Sequence, residues 1–284
     1  MYKPKITIIM AVYNRVDKVE QCILSVVNQS YDNLEYIIID GGSSDGTVDV
    51  IQKYADKISY WCSEPDNGIY SAWNKGISHA TGDYINFIGS DDAMYDSNVV
   101  ENIARYLDTN VDVLAGRIAM VKENSGFEVI VDNEHVKDRE HYSGRCITTQ
   151  GTFIKRELCI KYKFDTSYKV AADYKFFLKY YYDGSTNIKF VDDIIQYFSD
   201  GGISCSSNCD SVKDEDNRVY RDLGLYWLVD CHKKLENSPK GKVKAVLKRL
   251  GLLKLIQSLY SPYLRPGWRK HHCNNNICRW CGRK

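Results

Sequence analysis

The 284 residues are 44% hydrophobic and 26% charged with a formal net charge of +1, the profile of an ordinary globular protein. No stretch approaches ~18 uninterrupted apolar residues, which excludes a bilayer-spanning helix, and the length allows one large domain or a domain of about 200–230 residues with an appendage. The small net charge conceals a division: Lys233 to Lys284 holds 14 Lys/Arg and one acid (+13), leaving 24 bases against 36 acids (−12) before it.

A basic tail on an acidic body points to a polyanionic surface as partner. The ten cysteines show no framework spacing, and Met1-Tyr2-Lys3-Pro4-Lys5 runs straight into a strand-like segment without a signal h-region. The expectation is a cytosolic chain with reduced thiols. The 22 tyrosines lie mostly in mixed polar stretches, favouring amphipathic grooves.

Ile6 to Tyr13 is a near-continuous apolar run, as in a strand covered on both faces. Val16 to Asn28 carries Val19, Ile23, Val26 and Val27 at a helical period. Glu35 to Asp40 reads as a second buried strand, broken by Gly41-Gly42-Ser43-Ser44-Asp45-Gly46-Thr47, a linker whose N–H groups can approach an anion before a helix opened by Thr47 or Asp49. Ile58 to Cys62 is a third strand, and Tyr84 to Gly89 a fourth, stopping at Ser90-Asp91-Asp92. Strands alternating with helices imply a parallel sheet with right-handed crossovers.

Each strand ends in polar residues on what must be one edge: Tyr13-Asn14, Asp40, Glu64-Pro65-Asp66 and Asp91-Asp92. In open α/β sheets ligands bind beyond the carboxyl ends of the strands. Paired acids there suit a hard divalent cation shared with substrate phosphates, the plain alternative being a solvated turn. Asp40 could accept the imide N–H of uracil or the N1–H of guanine, or could cap a turn. Neither a Gly-x-Gly-x-x-Gly fingerprint nor a P-loop is present, so a metal at Asp91/Asp92 is the candidate phosphate holder.

Tyr13-Asn14-Arg15, the Asp40 to Thr47 run, Glu64 to Tyr70, Asn74-Lys75-Gly76 and Gly89-Ser90-Asp91-Asp92 resemble family 2 glycosyltransferases, closest to the bacterial branch that builds O-antigen, colanic acid and capsular repeats. The resemblance covers roughly residues 5–205 and implies a GT-A fold, a nucleotide-sugar donor, Mn2+ or Mg2+, and inversion at the anomeric carbon. It implies that Ala11, Tyr13 and Asp40 hold base and ribose, that Asp66 and Lys75 flank ribose and diphosphate, that Asp91 contacts the donor's ribose or sugar, and that Asp92 coordinates the metal. Where the family usually reads Gly-Ile-Tyr-Asp-Ala-Met-Asn-Lys-Gly, Ser71 replaces the acid and Trp73 the Met.

From Val111 the pattern changes to short strands (111–114, 116–121, 127–131), fitting a mixed or antiparallel extension. Ile147 to Ile154 stands where the family has a His-Gln-x-x-Phe element near the acceptor; Thr149 replaces the His, and Gln150 is carried over. Asp173 falls in the first turn of a helix from Ala171 to about Tyr182, where the dipole favours a carboxylate. It is either an N-terminal cap or the general base that deprotonates the acceptor hydroxyl; the resemblance places the family's catalytic acid here. Gly201 and Gly202, in Asp200-Gly201-Gly202-Ile203-Ser204, are implied to close over the donor pyrophosphate.

Asp210 to Lys234 has one apolar stripe. Residues 241–260 follow with apolar positions at i+3 and i+4 and Lys242, Lys244, Lys248, Arg249 and Lys254 as their only charges, a basic amphipathic helix suited to an anionic membrane face. His271-His272-Cys273 with Cys278 and Cys281 forms a weak zinc pattern. The expected layout is a GT-A catalytic domain at 1–208 (nucleotide-sugar half 1–110, acceptor half 111–208) and a helical, basic, membrane-associating region at 209–284. The expected reaction moves a hexose or N-acetylhexosamine from a UDP-sugar to a polyprenyl-diphosphate-linked saccharide. It would take place on the cytoplasmic face of a bacterial inner membrane, contacted through residues 240–284, without nucleic acid. The competing readings are a sugar nucleotidyltransferase, disfavoured because Val12 to Arg15 lacks a Gly-rich loop, and a nucleic-acid binder acting through the tail, disfavoured by the acidic body.

Overall fold

Seven consecutive buried residues form the central strand β1 (Ile6–Val12). It lies between β2 (Leu34–Asp40) and β4 (Tyr84–Gly89), parallel to both, and β3 (Tyr60–Ser63) extends the parallel set beyond β2. The apolar run is continuous because both faces are covered. Ile6, Ile8, Met10 and Val12 pack in one cluster with Val19, Cys22, Ile23 and Val26 of α1 (Val19–Val27). Ile9 and Ala11 join the opposite cluster with Tyr70, Trp73 and Ile77 of α3 (Ile69–His79). Each fully buried isoleucine contributes roughly 1.5–3 kcal/mol of transfer free energy. A Cβ on Gly76 would stand 2.4 Å from Ile9 Cγ2, so the close seat of α3 on β1 requires that glycine.

The computed structural model describes residues 2–122, 126–137, 148–200, 209–229 and 269–271. Within them the sheet has ten strands: eight run in the order β10 (Arg269–Lys270), β7 (Phe127–Val131), β6 (Val113–Val121), β8 (Thr152–Lys155), β4, β1, β2, β3, and two more pair off this path. The extension is mixed, as the change of pattern at Val111 suggests. β8 (Thr152–Lys155) is antiparallel to β4 and to β6 (Val113–Val121), and β7 (Phe127–Val131) is antiparallel to β6. β9 (Ile188–Ser199) runs parallel to β6 and pairs with the short β5 (Ala93–Met94). The two strands expected at 111–114 and 116–121 are one. Gly116 marks a register shift in β6, where a Cβ would stand 2.7 Å from Ile195 and 2.8 Å from the Asp193 carbonyl. The third strand begins at Tyr60 rather than Ile58, because the Ile58 N–H closes a 3-10 turn on the Ala55 carbonyl.

Two described parts of the region after residue 208 pack on this body. Helix α8 (Cys209–Asp222) places Val219 and Tyr220 in the same core cluster as α7 (Ala172–Tyr181). β10 (Arg269–Lys270) lies antiparallel on β7, and the buried His271 pairs through Nδ1 with the buried Glu128 carboxylate at 2.7 Å. No helix among the described residues is long and apolar enough to cross a membrane. Gly201, Gly202, residues 240–268 of the tail and Cys273, Cys278 and Cys281 lie outside the described residues.

Candidate functional site

Parallel register brings the strand ends level: Val12 faces Asp40, Asp40 faces Ser63, and Ala11 faces Gly89. The loops that follow therefore leave one edge together and line a cavity of about 710 Å³. Of the residues expected at the donor site, Ala11, Tyr13, Asp66, Asp91 and Asp92 line it, and Gln150 and Asp173 line it from the second half of the chain. Tyr13 is 60% exposed, so its aromatic ring is open to solvent among the residues that line the cavity.

Asp40 and Lys75 are placed differently. Asp40 is fully buried behind the lining. Its Oδ2 accepts the Gly42 N–H (3.0 Å), the Ser43 N–H (2.9 Å) and the Ser63 hydroxyl (2.6 Å), and its Oδ1 accepts the Ser43 hydroxyl. Three of these donors fall on Oδ2 and one on Oδ1, so the carboxylate is held chiefly by the protein's own groups. Asp40 shapes the loop: Gly42 sits at φ +83° there, with Pro65 N 3.1 Å from where a Cβ would be. The Ser43 hydroxyl in turn accepts the Asn14 N–H at 2.7 Å, and Asn14 Oδ1 accepts the Ser44 N–H at 2.9 Å, lacing this loop to the one after β1. Lys75 pairs with Glu64 outside the lining.

Asp92 is buried, accepting the Gly89 N–H at 3.2 Å and the Ser199 N–H at 2.9 Å, so the turn after β4 and the end of β9 fix its carboxylate. Asp91 is half-buried beside it. A Cβ on Gly89 would stand 2.7 Å from Asp92 Oδ2 and 3.1 Å from Asp91 Oδ1; the glycine leaves the space on which both carboxylates converge. Two hard oxygen donors in a cavity that also carries Asp66 and Asp173 fit a divalent cation completed by substrate phosphates. Without such a cation, four carboxylates would oppose entry of a diphosphate. Among the described residues no group of three or more His, Cys, Asp or Glu is placed to hold a metal ion by itself.

Asp173 stands in the first turn of α7, as its spacing suggests. Its Oδ1 accepts the Tyr70 hydroxyl at 3.0 Å and its own helix's Tyr174 N–H at 2.9 Å. Loss of hydration raises its pKa above the usual carboxylate value, while these two hydrogen bonds pull the other way, and the net direction is upward. A carboxylate raised in this way is a stronger base than a free one. Tyr70 is nine-tenths buried and was legible only as part of the Glu64 to Tyr70 run. Other lining groups that sequence reasoning missed are Lys169 and Val170 ahead of α7, and Trp73, whose ring centroid lies 5.1 Å from those of both Phe87 and Phe164.

The chain is similar to known glycosyltransferases. A protein of Haemophilus influenzae described as an uncharacterized glycosyltransferase is 28% identical over 212 residues, 73% of this chain and 84% of its own. A like-named protein of Mycobacterium tuberculosis is 32% identical over 187 residues, 62% of this chain and 68% of its own. Among solved structures, an S. aureus TarS fragment in complex with UDP-GlcNAc superposes with a TM-score of 0.58 at 20% identity, over 72% of this chain and 61% of the fragment. The mannosyltransferase PcManGT from Pyrobaculum calidifontis, in complex with GDP-Man and Mn2+, superposes at 0.55 with 18% identity, over 92% of this chain and 82% of that one. The chain thus spans about three fifths of the TarS fragment, and the likeness to both establishes the GT-A architecture. Residues 7–172 match the family described as Glycosyl transferase family 2, and the chain is a glycosyltransferase that belongs to that family.

Proposed function

We propose that the cavity takes a UDP-sugar, a hexose or N-acetylhexosamine donor, and transfers the sugar with inversion to a hydroxyl of a saccharide carried on a polyprenyl diphosphate. The observation that carries this reading is the placement of Asp173 and the Asp91–Asp92 pair in one cavity. A group suited to take a proton and a pair suited to receive diphosphate charge share the space in which a sugar would lie between them. The TarS complex with UDP-GlcNAc supports the choice of UDP, with Tyr13 at the rim as the ring on which the base would stack.

In the proposed step Asp173 accepts the proton of the acceptor hydroxyl while that oxygen attacks C1 of the donor sugar. The O–C1 bond forms, the bond from C1 to the β-phosphate oxygen breaks, and UDP leaves with the bonding pair; attack opposite the leaving group inverts the centre. Asp92, with Asp91 beside it, would hold the Mn2+ or Mg2+ whose charge neutralises the departing diphosphate when bound. Tyr70 orients Asp173, and its hydrogen bond favours the carboxylate against the upward pull of burial. Asp66 folds over Gly41 and accepts the Gly68 N–H at 2.7 Å, setting the wall where ribose would lie. Gln150 would meet the acceptor.

The direct test is release of UDP from UDP-GlcNAc. Asp173→Asn should lower it by about 10²–10⁴-fold while UDP affinity stays within a few-fold, because the base acts only in the transition state. Full turnover by that variant would place the base elsewhere. The lipid-linked acceptor, a role in surface polysaccharide synthesis (O-antigen or capsule) and a peripheral place at the inner membrane face rest on the motif resemblance and the +13 tail. Neutralising Lys242, Lys244, Lys248, Arg249 and Lys254 should release the protein from phosphatidylserine vesicles, at about 1 kcal/mol per cation; unchanged retention would sink the membrane assignment.

A further inference from the structure

Helix α8 lies beyond the region 7–172 that matches the family, yet it grips the wall of the cavity. It presents Glu215, Arg218 and Asp222 at i, i+3 and i+7, the spacing of one helix face. Glu215 gathers three consecutive backbone donors. Its Oε1 accepts the Lys169 N–H at 2.9 Å, and its Oε2 accepts the Val170 N–H at 2.9 Å and the Ala171 N–H at 3.0 Å. Arg218 bonds the Ser167 hydroxyl at 2.8 Å and lies 4.2 Å over the Tyr168 ring. Asp222 accepts the Tyr168 hydroxyl at 2.6 Å and the Lys175 ammonium at 2.7 Å.

The three N–H groups held by Glu215 are no ordinary part of α7. Ala171 is the N-cap of that helix and has no capping side chain of its own; Glu215, from another element, takes the N–H of that cap and those of the two loop residues before it. Lys169 and Val170 line the cavity, and Asp173 follows two residues after the cap. A carboxylate that fixes three successive peptide planes fixes the direction in which the next turn projects its side chain.

We propose that Glu215 is a positioning residue for the transfer, holding loop 169–171 and through it Asp173, so that α8 is a working part of the active site. This rests on the reading of Asp173 as the base. The competing role is a helix cap that matters for stability alone, and the experiment has to separate the two.

Glu215→Gln retains the size of the side chain but leaves one acceptor oxygen and turns an NH2 toward the backbone donors. Asp222→Asn weakens the same helix's hold on Tyr168 and Lys175 without touching the 169–171 N–H groups. UDP release from UDP-GlcNAc would be measured well below the unfolding temperature of either variant, together with UDP affinity in Mn2+ and amide hydrogen exchange. Positioning predicts that Glu215→Gln loses at least ~10-fold in turnover with UDP affinity unchanged, since ångström-scale misplacement of a reacting group can cost about 10²-fold. Asp222→Asn should stay within ~3-fold at comparable loss of stability. The amides of Lys169, Val170 and Ala171 should be protected in the wild type and exposed in Glu215→Gln, with β1 unaffected.

Wild-type turnover in Glu215→Gln, or equal losses in the two variants that track their stability, would overturn the proposal. Wild-type amides at 169–171 that exchange like open loop would overturn it too. If the wild type neither binds UDP nor releases it from UDP-GlcNAc, the donor reading fails, and the exchange experiment alone decides whether Glu215 holds the loop.

Discussion

The Tyr70 hydroxyl donates to Asp173 Oδ1 at 3.0 Å, joining the first turn of α3 to the first turn of α7 over a separation of 103 residues. This bond favours the ionised carboxyl, whereas burial favours the neutral one. Tyr70→Phe removes the opposing influence, so the Asp173 pKa should rise further. The acid limb of the pH–turnover profile should then move to higher pH, with the deficit largest on its acid side and smallest on the alkaline plateau. An unmoved acid limb would mean that Asp173 is not the titrating group.

Gly89 keeps open the space shared by Asp91 and Asp92. Gly89→Ala should push both carboxylates off their positions while β4 stays paired with β1. The expected result is a folded protein whose stabilisation by UDP no longer depends on Mn2+, read as thermal shifts with and without the ion. Retained metal dependence would mean that these carboxylates do not hold the cation.

Acid and base titrations of stability should show two opposite signatures. Burial, then the charges of Asp173 and Glu215, push the Asp216 carboxyl up to about 7 from 3.8. Between those values the folded state binds more protons than the unfolded one, so this group makes stability fall as pH rises from about 4 to 7. Asp216→Asn should therefore raise Tm at pH 8, by about 2–4 °C for each kcal/mol recovered, and leave it unchanged near pH 4. Glu35 is the converse: despite burial, which acts to raise it, hydrogen bonds from Thr7, Thr81 and Lys5 hold its carboxyl down to about 2 from 4.5. Its contribution is complete above pH 4.5 and is lost as pH falls toward 2, so Glu35→Gln should destabilise at neutral pH and matter least in acid.

What the sequence carried was the frame. β1, β2 and β4 are buried, mainly apolar runs because helices cover both their faces, and parallel pairing then forces their polar ends onto one edge. Asp173 was legible from helix position together with a family motif. Asp40 shows the limit: its place at the strand end is as read, but Gly42, Ser43 and Ser63 take up its carboxylate, a local hydrogen-bond choice that spacing alone does not reveal. The holds on Asp173 and on the loop before it were illegible for another reason. Tyr70 reaches it across 103 residues, and Glu215 reaches backbone N–H groups 44 to 46 residues away, which leave no mark in side-chain identity.

The measurement that bears most directly on the account is a thermal-shift titration of wild type and Asp92→Asn with UDP, in the presence and absence of Mn2+. UDP at about 100 times its dissociation constant should add roughly 2.7 kcal/mol to wild-type stability. This gain should require Mn2+ and disappear in Asp92→Asn. A UDP-induced shift of equal size without the ion, or in Asp92→Asn, would contradict the placement of diphosphate and cation at the end of β4, and the absence of any shift with UDP would contradict the donor itself.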